Sequence, residues 1–236
     1  SSNFLTDFKF NNEVFKNYLS YTQNLNEFYQ TTNAEGAINN NLNIIFDKTY
    51  KIKNFEIKSR GKIDNLRLTL KEPFESRILK ENLNSFSIKE SSLNFRYSSD
   101  KKNFININGF YRFNENEFEK ISLKNNFKDK VSNIFLDFDI SRPIKLDLIN
   151  YDKDKNIKSN ILSQLKLDTK SINIKELKFS ENKKFIIIKN LKIKKNKFFD
   201  LEEIKIKTFK DGNLNNDFSL NIKNTIRVKG KKFDAT

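Results

Sequence analysis

The stretch IFLDFDISRPIKLDLINYDKDKN, residues 134–156, decides how the chain is read. Ile134, Leu136, Phe138 and Ile140 recur at every second position, and Ile144, Leu146 and Leu148 resume the pattern after Pro143. A period of two puts such residues on one face of a strand and their neighbours on the other. Pro143 falls where a strand opens, the place in a sheet where a missing N–H does least harm. The alternating Asp152, Asp154 and Asn156 imitate the first half of a calcium loop. Such a loop needs glycine at its sixth position and glutamate at its twelfth, and here those are Ile157 and Ser163. The stretch 151–156 is therefore read as a hairpin turn and not as a metal site.

The same period extends along most of the chain. Leu42, Ile44 and Phe46, then Leu66, Leu68 and Leu70, repeat it. So do Ile172 with Ile174, Ile204 with Ile206, Leu220 with Ile222, and Ile226 with Val228. DGNLNND at 211–217 reads as a second hairpin turn. Consecutive antiparallel strands follow, each with one apolar and one wet face, and no helices alternate with them to make βαβ units. One helix is expected, over 12–29, where Val14, Tyr18, Tyr21, Leu25 and Phe28 share a face at helical spacing behind an Asn12 cap. The expected organisation is an N-terminal helical segment, 1–35, packing on an antiparallel β domain, 36–236. A long sheet with one apolar face must roll, close on itself, or have that face covered by something else.

Composition limits the chemistry. Histidine and cysteine are both absent. That removes His/Cys zinc sites, Ser–His–Asp triads, thiolate nucleophiles and disulfides. The five glycines lie far apart, so no phosphate-cradling loop forms, and no carboxylates are uniquely paired. Neither an enzyme nor a cofactor is expected. The net charge of +15 would suit a polyanionic partner, but the lysines are spread evenly. Lys, Asn, Ile, Phe and Tyr are also the residues of A/T-rich codons, which accounts for the same excess. Nucleic acid is not expected, because the aromatics fall in phase with Ile and Leu rather than among the lysines. The chain starts SSNF without an initiator Met and stops at KKFDAT, which favours a segment of something longer.

Three stretches together resemble a known family. KIKNFEIKSRGKIDNLRLTL (51–70), LDFDISRPIKLDLINYDKDK (136–155) and the ending KTFKDGNLNNDFSLNIKNTIRVKGKKFDAT (207–236) are similar to segments of AsmA-like proteins. The branch meant is the YhdP-like one, close to TamB, among the bridge-like lipid-transfer proteins of diderm bacteria. The Lys- and Asn-rich style resembles that of alphaproteobacteria with A/T-rich genomes. The resemblance, which covers most of 36–236, implies a mainly β chain whose long curved antiparallel sheet makes a taco-like groove; the amphipathic helix expected from helical spacing would stand at its N-terminus. It further implies that the groove carries phospholipid acyl chains between the inner and outer membranes, in the periplasm. The family's inner-membrane anchor would then lie outside this segment.

Candidate lining residues are Leu136, Phe138, Ile144, Leu146, Leu148, Ile172, Ile174, Ile204 and Ile206. The same residues suit the packed core of a closed β-sandwich, and periodicity does not separate the two. The alternative function is a basic β-sandwich that binds an anionic polymer or serves envelope assembly.

Overall fold

β-branched and aromatic residues at alternate positions become strand along most of the described residues. A computed structural model describes residues 2–10, 29–76, 78–195, 197–222 and 225–234. Its strands are β1 (Ser2–Phe10), β2 (Tyr29–Phe46), β3 (Ile52–Phe74), β4 (Leu83–Ser98), β5 (Asn103–Phe113) and β6 (Glu119–Lys128). There follow β7 (Val131–Ile140), β8 (Ile144–Leu146), β9 (Tyr151–Lys153), β10 (Ser159–Leu167) and β11 (Ser171–Glu181). The last are β12 (Lys184–Lys194), β13 (Lys197–Asp200), β14 (Glu203–Lys210), β15 (Asn213–Ile222) and β16 (Ile226–Lys232). Fourteen of them join one antiparallel sheet, and β8 with β9 forms a separate hairpin.

Residues 12–28 of the expected helix lie outside the described residues, and Tyr29 already begins β2. Residues 2–10 are strand too, paired with β2 from Ser2 opposite Leu42 to Phe10 opposite Ala34. The described parts of 1–35 are thus sheet, and not a helical segment lying on one. The reason is visible in SNFLTDFKF, where Phe4, Thr6, Phe8 and Phe10 repeat every second residue. The one helical element among the described residues is a 3-10 turn, Asp147–Ile149.

Tight turns keep successive strands adjacent. Asp211 and Gly212 both take positive φ, as the central pair of a type I′ hairpin turn must. The turn expected over 211–217 is therefore those two residues, and β15 begins directly after them. Asp129 and Asn182 occupy the same left-handed region at other strand junctions, a conformation their short polar side chains tolerate.

The chain divides into two compact units, Ser1–Glu75 with Asn82–Lys128, and Ser76–Glu81 with Asp129–Thr236. In the first, β1 to β6 pair in sequence order. Its aromatic centre is Phe86, Tyr111 and Phe113, with Tyr111 edge-on to Phe113 at 5.4 Å between ring centroids. Beside it Gly109 admits a close approach, because a Cβ there would stand 1.9 Å from the Ser91 hydroxyl oxygen.

In the second unit the order is β7-β10-β11-β12-β14-β15-β16, and β13 pairs with β12. A bulge shifts the register between Gln164 and Leu165: Gln164 faces Glu176, but Leu165 faces Ile174, which leaves Lys175 over. The consequence is a change of phase. Leu177 and Phe179 before the slip share a face with Ile174 and Ile172 beyond it, since all four oppose residues of one regular strand face on β10.

Candidate functional site

Register pairing arranges the apolar side chains of the second unit in rows that run across the strands. One row is Phe138, Ile161, Phe179, Ile186, Ile206 and Phe218, on β7, β10, β11, β12, β14 and β15. The next is Leu136, Ser163, Leu177, Ile188, Ile204 and Leu220. Beyond it lie Ile134, Leu165, Ile174 and Leu191, and then Leu167, Ile172 and Ile193. The opposite face of the same strands carries Asp137, Asp139, Lys178, Lys205 and Lys207. The first face is predominantly apolar, and the opposite one is mixed, with Phe135, Leu162 and Ile187 among its charged and polar residues.

The hairpin of β8 and β9 covers the first row. Ile144, Ile149 and Tyr151 form a buried cluster with Ile140, Phe179 and Ile206, against which Phe138, Leu146, Ile161, Ile186, Ile204 and Phe218 pack. Among the described residues, the remaining rows lie outside that cluster except at Ile204: Leu136, Leu165, Leu177, Ile188, Leu191 and Leu220 are partly exposed, Ile172 is exposed, and Ser163 is buried. The result is a partly exposed apolar face of the sheet beside the hairpin.

The lining residues read from the sequence separate accordingly. Leu136, Ile172, Ile174 and Ile204 lie on the partly exposed apolar face, with Ile204 reaching the covered cluster. Phe138, Ile144, Leu146 and Ile206 belong to the packed cluster itself. Leu148 is 87% exposed. Its strand ends at Leu146, and the 3-10 turn over Asp147–Ile149 breaks the period of two and buries Ile149 instead. The turn of this hairpin thus falls one element earlier than 151–156, and Tyr151–Lys153 is the returning strand. Asp152 pairs with Lys80 at 2.5 Å, and no group of three or more acidic residues gathers among the described residues.

Sequence reasoning did not name Leu165, Leu167, Leu177, Ile188, Leu191 or Ile193 as lining, and all six share this face. For Leu177, Ile188 and Leu191 the signal is present as "LKF" and "IIIKNLKI", but the second run changes phase at Asn190, Ile188 to Leu191 being three residues apart.

A polar margin pins the hairpin down. Tyr151, 1% exposed, donates its hydroxyl hydrogen to Glu181 Oε2 at 2.9 Å, and the Ser159 hydroxyl donates to the same oxygen at 3.3 Å. Lys184 Nζ reaches Glu181 Oε1 at 2.6 Å. Burial, and then the Glu181 carboxylate, push the Tyr151 phenol far above its ordinary range, so it remains a donor. Asn216 donates to the Ile149 carbonyl at 2.7 Å and Asn215 to that of Asn150 at 3.0 Å. Asn150 in turn donates to Asp234 at 3.2 Å, and Phe233 stacks edge-on against Phe218. The stretches 136–155 and 207–234 therefore meet at one place. No family model, curated protein or solved structure matches the chain.

Proposed function

We propose that the chain is a segment of a bridge-like lipid-transfer protein of the AsmA-like kind. In this reading the sheet curves into a taco-like groove, and its apolar face holds phospholipid acyl chains on their way between inner and outer membranes. The site of action is the periplasm, with any membrane anchor outside this segment. The observation that supports it is the set of partly exposed apolar rows beside a covered one. A sheet face needs a partner for such rows, and each CH₂ an acyl chain buries there contributes about 0.8 kcal/mol. The contacts are non-directional, so a chain slides along the rows without breaking specific bonds.

A basic module for an anionic polymer is the competing reading, favoured by the net charge of +15. Several lysines of the wet face are already engaged, Lys189 and Lys205 with Glu203 and Lys158 with Asp139, which leaves less charge for such a partner.

The test pairs Ile188→Asp in the proposed groove with its neighbour Ile187→Asp on the opposite face, where Lys178 and Lys205 flank it. Lipid extracts of each purified protein are weighed by mass spectrometry, and melting temperatures are recorded alongside. Phospholipid should co-purify with the parent and with Ile187→Asp. Ile188→Asp should stay folded, because its carboxylate reaches water when the groove is empty, and should lose the lipid. Unfolding of Ile188→Asp, with no lipid in the parent, would mean a closed core, where an unpaired carboxylate is severely destabilising.

A further inference from the structure

The hairpin between β2 and β3 extends past the strands beside it. Described pairing of β1 with β2 starts at Leu42, and that of β4 with β3 starts at Glu56. Past those points 44–55 is a two-stranded ribbon with no third described strand against it. Three residues of strand reach about 10 Å. The turn at the tip is held by Asp47, whose Oδ1 accepts the Thr49 N–H and hydroxyl at 2.7 Å and the Lys51 N–H at 3.0 Å.

This ordered tip presents apolar side chains to solvent. Phe46 and Ile52 are cross-strand partners, 55% and 60% exposed. Tyr50 in the turn is 89% exposed and takes a φ of 61°. The left-handed region is strained for a bulky residue, and at that exposure little packing compensates. Charge gathers at the same end of the strands. Lys48, Lys51 and Lys53 are exposed on the ribbon, and Lys102 and Lys128 are exposed where β5 begins and β6 ends. The carboxylate of Glu56 is shared by Lys58 and Lys101, which leaves an excess of positive charge there. The other end of these strands carries Glu72, Glu75, Glu115 and Glu117 instead.

We propose that the β2–β3 tip docks the chain on an anionic phospholipid bilayer. Phe46, Tyr50 and Ile52 enter the head-group boundary, and Lys48, Lys51 and Lys53 meet lipid phosphates. Aromatic side chains with lysines are the residue types that hold an element at that boundary. A specific protein partner takes about 800 Å² per side, whereas an aromatic buries at most about 150–250 Å², so these three side chains offer roughly half the area. Nucleic acid would stack on the rings, but Ile52 beside Phe46 adds hydrocarbon and no stacking face. A fluid bilayer admits a narrow projecting tip without a complementary pocket. The contact is peripheral, and it does not rest on the apolar rows of the second unit.

The chain has no tryptophan, so Tyr50→Trp places a single reporter at the tip. The probes are vesicles of phosphatidylcholine and phosphatidylglycerol in equal parts, and vesicles of phosphatidylcholine alone. On the mixed vesicles the emission should shift to shorter wavelength and be quenched by lipids brominated on the acyl chain. Phosphatidylcholine alone should give a much weaker response. Phe46→Ser with Ile52→Ser, both at exposed positions, should keep the parent's melting temperature. Sedimentation of that variant with mixed vesicles should weaken about tenfold or more. Lys48→Gln with Lys51→Gln should weaken it about fivefold per lysine. Phe74→Ser should bind as the parent does, since Phe74 is 58% exposed but lies at the acidic end. Tryptophan emission reads the tip whether or not lipid co-purifies with the parent, so this proposal and the groove fail separately. No sedimentation of the parent with mixed vesicles, unshifted emission, or unchanged binding in the Phe46 and Ile52 variant overturns the proposal. Binding of a single-stranded oligonucleotide with unshifted emission on vesicles assigns the lysines to nucleic acid and overturns it as well. Unchanged binding in the lysine variant overturns its electrostatic half.

Discussion

Asp168 shows how a single carboxylate can shape a strand junction here. Its Oδ1 accepts the N–H groups of Lys170 and Ser171, each at 2.8 Å, and its Oδ2 accepts the Ser171 hydroxyl at 2.7 Å. The Ser171 hydroxyl, and then the backbone N–H groups, hold the carboxyl below its ordinary value of 3.8. A carboxylate with a depressed folded-state pKa contributes its stability in full above the ordinary value and loses it as pH falls through the folded one. Asp168→Asn should therefore lower the melting temperature at neutral pH, and the gap to the parent should shrink as pH drops below 3.8. A gap that is the same at neutral and acid pH would mean that charge contributes nothing to the turn. At this scale Asp211-Gly212 was legible, since few residues other than Gly, Asn and Asp enter the left-handed region. Leu148 was not. Leu146 and Leu148 look alike in the sequence, and only the 3-10 turn after Leu146 sends one to the cluster and the other to solvent.

The hairpin of β8 and β9 is the element whose role the alternation alone concealed. Three strand residues on each side cannot hold a hairpin in water by their own pairing. It stands because Ile144, Ile149 and Tyr151 find apolar partners on the sheet, and because Glu181, Asn215 and Asn216 meet its polar groups. Tyr151→Phe keeps the ring and removes the donor, which leaves a buried carboxylate short of one hydrogen bond. The expected loss is about 1–3 kcal/mol of unfolding free energy. Urea unfolding followed by circular dichroism reads it, and a midpoint equal to the parent's would show that apolar contact alone holds the hairpin. Pro143 and the alternation predicted a strand at Ile144 correctly. Where the chain would turn back was not legible, because the decisive partners, Phe179, Ile206 and Asn216, lie far along the chain.

At the scale of the whole molecule, the described chain is mainly β in one large antiparallel sheet. Far-ultraviolet circular dichroism should accordingly be dominated by strand signal, and a spectrum with more helix than strand would contradict the fold. The sequence by itself determined the class, through period-two alternation bounded by Asn, Asp and Gly. It also determined which catalytic chemistries are absent, since a chain without His or Cys supplies neither imidazole nor thiolate. Tertiary structure alone decided which apolar residues are covered. Alternation assigns a residue to a face of its own strand, but cover depends on what is set against that face. The bulge at Lys175 brought Leu177 and Ile174 onto one face, and the returning hairpin buried Ile206 while leaving Ile188 partly exposed. Both outcomes arise from pairings between distant segments, which no local periodicity records.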